Sequence, residues 1–345
     1  MIGEVLYWIE LLDDEDRVQG ILDGTSNGTV EQNKDRAVNG SLDFTLLNTG
    51  IEIPWLRARF RPWCSVNGYR FPMGIYLTSD PETQVTATHE SWRITAHDKL
   101  GILDQDATPG IYSLPEGTDV IDTVVGIIEA AGETSLSVTP SSKTLTRSMT
   151  WKAGETWLVI VSDLLRAVDY APLQVAGGGN FLVRPGTDPR ERSIMQTFAE
   201  GPDFSLHGSE WTHSFNTKDV PNRVVLTTSG TDEQPEMISV AVNENPDSPF
   251  SYQARGGRWV TRPYEDIEAV DQSTLDSLAR RYLSNASRAV SSFRVSHVVA
   301  PLEPNDVVRF RSHGRDVLAE VNEYSITMTA GVSVQALWTE IGPVL

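Results

Sequence analysis

The residues whose types and spacing come nearest to a metal-binding motif are His207, Glu210 and His213, which stand three residues apart. Imidazole and carboxylate groups bind zinc, and zinc proteases place two histidines four residues apart on a helix, with a glutamate as the general base. The segment His207-Gly208-Ser209 is not helical in character, and the spacing is not that of a zinc protease. We therefore predict no metal site and no cofactor.

Other reactive residues lack the context that catalysis needs. Cys64 lies between Trp63 and Ser65, and a single cysteine is more often a small packed residue than a nucleophile. His89 and His97 lie on or near a predicted strand and are interpreted as solvent-facing. The run 177–179 is all glycine but lacks the preceding strand and following helix of a nucleotide-binding loop, so we interpret it as a turn.

Two sequence signatures of phosphate binding and of hydrolysis are also absent. The sequence contains neither a Gly-x-x-x-x-Gly-Lys-Ser/Thr phosphate loop nor a Gly-x-Ser-x-Gly elbow. With 47 aspartates and glutamates in the chain, a pair of nearby carboxylates is not diagnostic of a glycosidase. The acidic run from Asp13 to Asp16 lacks the following glycine of a calcium loop and is interpreted as a turn. We predict no catalytic residues and no enzyme activity.

Length and charge limit the possible classes. A chain of 345 residues suits two or three domains. The formal net charge of -19 repels phosphate and argues against a general nucleic-acid-binding protein. Cys64 has no partner for an intrachain disulfide, and neither a signal peptide nor an apolar run of membrane-spanning length is present. We expect folding in a reducing cytosol.

Alternating apolar and polar residues predict strands in the first hundred residues. Trp92, Ile94 and Ala96 alternate with polar residues, and the period breaks at Asp98-Lys99-Leu100. We interpret 91–103 as the last strand of a first β-domain and the exit into a different module. Further strands are predicted at 5–12, 42–47, 56–61 and 69–78, with Pro72 marking an edge or bulge in the last of these.

Helices are predicted in the rest of the chain. One follows Thr118 as N-cap and stops at Gly132, a second covers about 155–169, and a third covers 272–286 with Ser273 or Asp271 as its cap. A hairpin with a glycine turn follows the second helix. Residues 229–262 are rich in Gly, Pro, Asn and Asp and are interpreted as a mobile insert. Strands are predicted at 223–228, 290–299, 306–311, 317–329 and 332–338.

The two β-rich regions repeat one order of parts. Arg59-Phe60-Arg61 precedes a loop ending at Gly68, a long strand, a loop and the strand 92–98. Arg309-Phe310-Arg311 precedes a loop ending at Gly314, a long strand, a one-glycine turn and the strand 332–338. The shared order indicates one β-architecture used twice.

The order of these parts resembles the baseplate hub, or tail-tip hub, proteins of tailed bacteriophages with long non-contractile tails. The residues that carry the resemblance lie at 38–44, 92–103, 157–182, 221–225, 273–286 and 302–310. The resemblance implies an α+β, mainly β fold with two tail-tube-like β-barrel or sandwich domains separated by a small α/β domain. The expected limits are 1–104, 105–200 and 201–345, the last domain including the helix 272–286 and the insert near 229–262.

The resemblance also implies a homotrimer in which three copies of two similar domains form a pseudo-sixfold ring at the end of the tail tube. It implies contacts with the distal tail protein, the tape-measure protein and tip or fibre proteins, and passage of DNA without specific binding. The expected location is the virion, after assembly in the host bacterial cytoplasm. Some relatives carry a fused peptidase or hydrolase; this chain ends directly after its last predicted strand, so we expect none here.

Two alternatives remain open at this point. The chain's nine tryptophans could stack on sugars in a receptor- or carbohydrate-binding tail component. Trp92, Trp157 and Trp338 fall in strand or helix patterns where burial explains them, whereas an exposed row of tryptophans in a groove would favour sugar binding. A cell-wall hydrolase is the second alternative, and it lacks any candidate active site.

Overall fold

The computed structural model describes residues 4–201, 206–215, 220–229, 236–246, 248–288, 291–329, 331 and 333–342. The first part of the chain is a run of strands: β1 (Val5–Leu12), β2 (Val18–Ile21), β3 (Thr25–Asn33), β4 (Gly40–Leu47), β5 (Arg59–Val66), β6 (Tyr69–Pro72), β7 (Tyr76–Val85) and β8 (Glu90–Asp98). The middle part mixes helices with short strands: α1 (Leu100–Gln105), β9 (Tyr112–Leu114), α2 (Val120–Ala130), β10 (Leu136–Val138), β11 (Met149–Trp151), α3 (Trp157–Ala167), β12 (Gln174–Val175), β13 (Phe181–Val183) and a 3-10 turn (Pro189–Glu191). The last part contains β14 (Ile194–Ala199), β15 (His207–Phe215), β16 (Arg223–Thr227), β17 (Ile238–Val242), β18 (Thr261–Tyr264), α4 (Gln272–Arg288), β19 (Ser291–His297), β20 (Val307–Ser312), β21 (Arg315–Thr327) and β22 (Val334–Glu340).

One large, mainly antiparallel sheet contains fourteen of the described strands. In its first half the neighbours follow the order β1-β5-β7-β8-β4-β3, and in its second half they follow the order β14-β20-β21-β22-β19-β15. The strands of the two orders correspond one to one when each half is taken along the chain. One difference is that β1 pairs antiparallel with β5, whereas β14 pairs parallel with β20. The repeated order of parts in the sequence therefore corresponds to a repeated strand order.

β21 joins the two halves. Its residues 315–320 pair with β20, and further along the strand its residues 323–327 pair with β3 of the first half. One apolar core lies under both halves and includes Phe44 and Phe60 from the first and Phe293 and Trp338 from the second. The predicted mainly β class is confirmed. Among the described residues the sheet is branched, with β2, β6, β14 and β15 as its terminal strands, and it is not closed into a barrel.

A second core forms the middle of the chain. α2 and α3 pack against short strands, and Val124, Leu164 and Phe181 are fully buried between them. Asp119 caps α2, since its carboxylate accepts the N–H of Asp122 at 3.0 Å, so the cap lies one residue after the predicted Thr118.

A third, smaller core packs α4 on a three-stranded sheet of β17, β16 and β18. Leu275 and Leu278 on the helix are fully buried, together with Val224 on β16. Asp271 accepts the N–H of Thr274 at 2.6 Å and caps the helix, as one of the two predicted caps. The expected insert thus contributes β17 and part of β18 to a packed unit; its residues 230–235 and 247 lie outside the described residues.

Several predicted strands begin or end elsewhere. The strand predicted at 56–61 begins at Arg59, because Leu56 is fully exposed in a turn and does not belong to an apolar face. Pro72 ends β6, which pairs only with β5, so the expected edge position is confirmed. The sequence pattern does not predict β3, β14 or β15. The predicted first residues of two late strands, Val290 and Val332, lie outside the described residues. In the described part of the chain, no helix combines the length and apolar character needed to cross a bilayer.

Candidate assembly surface

The large sheet presents one polar face that crosses from the first half into the second. On β8, Thr95 lies opposite Asp80 of β7 and opposite Asp43 of β4. Asp43 lies opposite Thr29 of β3, and Thr29 lies opposite Thr327 of β21. Residues directly opposite each other in antiparallel strands point to the same side of the sheet. This row of polar side chains is therefore continuous across the joint between the halves.

A second row runs beside the first. Glu31 of β3 lies opposite Ser325 of β21, which lies opposite Gln335 of β22. The intervening residues point to the other side, where Val30 lies opposite Ile326 and both are buried in the core. The sheet thus has one apolar face, which the core covers, and one hydrophilic face, which we call the polar face.

Acidic groups outnumber basic ones on this polar face. The registers of the eight strands from β7 to β15 place charged residues on it that include Glu31, Asp43, Asp80, Glu82, Glu320, Glu323, Arg93 and Arg294. The side chain of Thr95 donates a hydrogen bond to Asp43 at 2.6 Å, and Asn33 donates one to Glu323 at 2.6 Å. A depression of about 530 Å³ lies open on this face beside Thr29, Thr45 and Arg93. Hydroxyl and amide groups of this kind hold water, and the excess of carboxylates repels anions.

A buried ionic cluster joins the sheet to the middle core. The ammonium of Lys99 contacts Asp16 at 2.8 Å, contacts Glu133 and donates to the carbonyl of Gly179 at 3.2 Å. The guanidinium of Arg59 contacts Asp16 at 2.7 Å and Glu133 at 2.8 Å. The Lys99 side chain has no exposed surface, and only 4% of the Glu133 side chain is exposed. Two cations and two anions balance, which allows the charges to be buried.

The pKa of Arg59 responds to this cluster. Burial by itself lowers the pKa of the guanidinium, but the hydrogen bonds and charges of Asp16 and Glu133 outweigh burial and raise it. Arg59 stays charged although its side chain is buried. Neither the strand pattern around Arg59 nor the turn around Asp16 contains a signal for a buried ion pair, because the partners come from distant parts of the chain.

The Asp98-Lys99-Leu100 break has a second role at Asp98. Its buried carboxylate accepts the N–H groups of Gly40 at 2.6 Å and Leu100 at 3.0 Å. Burial raises the pKa of Asp98 to about 7, although these backbone hydrogen bonds lower it. A Cβ at Gly40 would lie 2.5 Å from the amide nitrogen of Gln32 and 3.0 Å from the Asp98 carboxylate, so a side chain here would require these two groups to move. Two of the motifs that carry the family resemblance therefore meet at one hydrogen bond.

The structure does not bring His207, Glu210 and His213 together as metal ligands. His207 and His213 lie on β15, where the His213 ring bonds to the hydroxyl of Ser291 at 2.8 Å. Within the described ranges, the acidic group at Asp13, Asp14 and Glu15 is the one set of potential ligands close enough to share an ion. It is largely exposed, and the Asp13 carboxylate accepts backbone N–H groups of its own turn.

The remaining candidates take structural positions. Cys64 is fully buried in the core, and burial raises the pKa of its thiol to about 11. His89 lies in the exposed turn between β7 and β8, where it bonds to Thr86. The glycines at 177–179 form the predicted turn between β12 and β13. Gly177 donates its N–H to Glu303 at 2.7 Å and accepts that of Gly74 at 3.1 Å, so this turn contacts both halves of the sheet.

The tryptophans do not form an exposed row in the described residues. Trp338 is fully buried, and Trp92 is partly buried with its ring edge-on to Trp55. Trp8 and Trp63 stack in parallel with their ring centres 5.7 Å apart, and both are partly covered. Trp259, with 43% of its surface exposed, is the most exposed of the described tryptophans. This arrangement is that of packing groups and gives no support to a sugar-binding groove.

Comparison with known proteins finds similarity in structure but not in sequence. No protein-family model matches the chain, and no curated protein sequence matches it significantly. A tail protein from Neisseria meningitidis MC58 superposes with a TM-score of 0.66 at 11% identity, covering 98% of each chain. The 43 kDa tail protein of prophage MuSo2 from Shewanella oneidensis gives 0.66 at 10% identity, covering 96% of this chain and 98% of that one. The prophage tail protein gp18 from Listeria monocytogenes EGD-e gives 0.57 at 13% identity, covering 96% and 94%. This chain thus has the fold of these phage tail proteins along almost its whole length.

Proposed function

We propose that this chain is a structural protein of a bacteriophage virion and forms the hub of the tail tip or baseplate. The proposal starts from the fold, which is shared with phage tail proteins over nearly the full chain. In this proposal the protein ends the tail tube and continues the channel through which DNA leaves. The protein acts by assembly and not by catalysis.

The observation that carries the proposal is the repeated strand order of the two sheet halves and their joint at β21 and β3. Each half is one tube-like unit, and the joint places two units side by side. Three copies then supply six units, so a trimer offers a sixfold arrangement to the tube above and a threefold one to the tip below. A ring of this kind uses heterologous contacts that close on themselves.

The polar face is the surface that we assign to the channel wall. Its charged residues on the central strands include six carboxylates and two arginines, and the whole chain has a net charge of -19. Repulsion between such a wall and DNA phosphates acts within a Debye length of ~8–10 Å. DNA then passes without binding to the wall.

The partners follow from this position. The distal tail protein and the tape-measure protein would contact the ring from the tube side, and tip or fibre proteins would contact it from the other side. Assembly takes place in the cytoplasm of the host bacterium, before the virion is released.

The first test is the mass of the purified chain in solution, measured alone and with tail-tube protein. We expect a trimer, or a monomer that becomes a trimer on the tube partner. A chain that stays monomeric with tube protein present, or that turns over a glycan or cell-wall substrate, contradicts the proposal.

The second test places the protein in the particle. A label at the C-terminus, imaged by electron microscopy of purified virions, should appear at the tip end of the tail. A label along the tail shaft or in the head contradicts the assignment.

A further inference from the structure

The two sheet halves can be aligned residue by residue because both contain the same irregularity. The pairing of β7 with β8 shifts between Thr78 and Asp80, and the pairing of β21 with β22 shifts between Val321 and Glu323. Each shift is a bulge in which one extra residue lies on the longer strand. When the bulges are superposed, Asp80 corresponds to Glu323, and 82 and 84 correspond to 325 and 327.

The alignment extends across the neighbouring strands. Asp80 lies opposite Thr95 and Glu323 opposite Leu337, so these two partners correspond. On the next strands, Asp43 lies opposite Thr95 and Arg294 lies opposite Leu337, so Asp43 corresponds to Arg294. Thr29 of β3 lies opposite Asp43 and Thr212 of β15 lies opposite Arg294, so Thr29 corresponds to Thr212. β15 is thus the counterpart of β3, as β7 is the counterpart of β21.

This correspondence gives each half a matching pair of edges. Inside the chain, residues 323–327 of β21 pair antiparallel with 29–33 of β3, and Thr327 lies opposite Thr29. The counterparts of these two segments are 80–84 of β7 and 212–216 of β15, and residue 216 lies outside the described ranges. In the described residues, 80–85 of β7 pair only with β8, and β15 pairs only with β19. Residues 80–85 are all exposed.

We propose that β15 of one copy of this chain pairs antiparallel with β7 of the next copy and reproduces the β21–β3 joint between chains. The inference rests on the proposed function and deepens it, because it names the segments through which the ring closes. The internal joint fixes the register: Gln84 of one copy lies opposite Thr212 of the next, and Glu82 opposite Ser214. The polar face then continues from copy to copy without a break.

Backbone geometry agrees with the pairing. Thr86 donates its N–H to His89 within the β7–β8 turn, so the N–H groups of Thr83 and Val85 point away from β8 toward the free edge. At the internal joint the N–H of Met328 donates to the carbonyl of Gly28, so Gly28 and Val30 direct their main-chain groups toward β21. Their counterparts on β15 are Trp211 and His213, whose main-chain groups therefore point to the free edge. Thr83 and His213 would therefore exchange two hydrogen bonds.

Pro81 lies at the same free edge of β7. It has no N–H, so it offers only its carbonyl to Phe215 of the next copy. Proline on an exposed edge strand also restricts unspecific pairing. The β7 edge is thus open to one partner register and protected against others.

The test is cysteine crosslinking between two single variants. Glu82→Cys protein is mixed with Ser214→Cys protein under mild oxidation, and products are separated by non-reducing electrophoresis. In the proposed register these residues form a non-hydrogen-bonded pair, whose Cα atoms lie ~4.5 Å apart, within disulfide reach. The mixture should give a band at twice the chain mass that is lost on reduction, whereas each variant alone should not. The native Cys64 is buried and does not compete.

Two controls match this pair. Thr83→Cys mixed with Ser214→Cys places the two thiols on opposite faces of the sheet and should give no band above background. Glu31→Cys combined with Ser325→Cys in one chain is the same position at the internal joint and should form an intramolecular disulfide. If this control forms no disulfide, the register of the internal joint is wrong. The inference, which transfers that register to the contact between copies, would then be overturned.

The double variant Glu82→Cys/Ser214→Cys separates this inference from the proposed function. A covalent ladder that ends at three chains supports both. A ladder that ends at another number supports the strand pairing and refutes the trimeric hub. A protein that is a trimer by mass but gives no crosslink keeps the hub and overturns the strand pairing, and absence of any crosslinked band at all concentrations also overturns it.

Discussion

Lys99→Met tests whether the buried ionic cluster holds the sheet to the middle core. The change keeps the length of the side chain and removes its charge, leaving Asp16 and Glu133 with Arg59 as their one remaining cation in the cluster. At 2.8 Å from Asp16, and with an effective dielectric constant of about 20, the lost attraction is ~6 kcal/mol. Because the lysine no longer has to be desolvated, part of this loss is offset, and we expect the free energy of unfolding to fall by ~3–5 kcal/mol.

This loss is a large share of the ~5–15 kcal/mol that stabilises a typical domain. Urea unfolding followed by tryptophan fluorescence measures it. The double variant Lys99→Met/Glu133→Leu restores the charge balance, since Arg59 and Asp16 remain as a pair, and it should recover most of the lost stability. The surface variant Arg17→Met removes an exposed ion pair with Glu15 and should change stability by less than ~1 kcal/mol.

The double variant Lys99→Met/Glu133→Leu distinguishes loss of charge balance from loss of packing. If it is as unstable as Lys99→Met, or less stable, then charge balance is not what the cluster provides. The loss in the single variant would then come from packing around the Lys99 stem.

Three further predictions concern single positions. Gly40→Ala should lower the free energy of unfolding by ~1–3 kcal/mol, because its Cβ would meet Gln32 and Asp98, whereas Gly20→Ala has open space and should be close to neutral; equal effects in urea unfolding would contradict the close approach. Burial lowers the pKa of His297 to about 4, below its unfolded value near 6.5, so the stability due to the neutral ring is present above pH ~6.5 and is lost as the pH falls toward 4. His297→Phe should flatten the pH dependence of unfolding in that window, and an unchanged slope would refute this assignment. Leu278→Ala should cost ~2–5 kcal/mol because the side chain is fully buried, and Leu56→Ala should cost less than ~0.5 kcal/mol because its side chain is fully exposed; thermal unfolding measures both, and a large loss at Leu56 would show that it is packed.

Hydrophobic periodicity and capping residues predict those helices and strands whose limits depend only on the local sequence. The strand Val5–Leu12 has the predicted bounds, and α4 begins at the predicted cap Asp271 because the apolar stripe and the cap are both local. The sequence interpretation misses β15, although Trp211, His213 and Phe215 alternate with polar residues as in a strand. β3 has few apolar residues, and its place in the sheet depends on β4 and β21.

The repeat is visible in the sequence only as an order of parts. The two Arg-Phe-Arg triplets do not occupy equivalent positions. Phe60 lies opposite Tyr76, and the counterpart of Tyr76 in the bulge alignment is Ala319. Ala319 lies opposite Val308, so the counterpart of Phe60 is Val308 and not Phe310. The triplet match is therefore wrong by two residues, although the strand order that it suggested is present. The buried positions of Arg59 and Lys99 are beyond local patterns, because their partners are brought together only by the folded chain.

The joint between β21 and β3 has a consequence for the kinetics of assembly. It connects segments of one polypeptide, so it forms at an effective concentration that dilution does not change. In a ring built as proposed, every second seam is therefore already closed before any encounter between molecules, and only the seams between β15 and β7 respond to the amount of protein in the cell. Joining two tube-like units in one chain would halve the number of seams that such a ring has to form between molecules, from six to three.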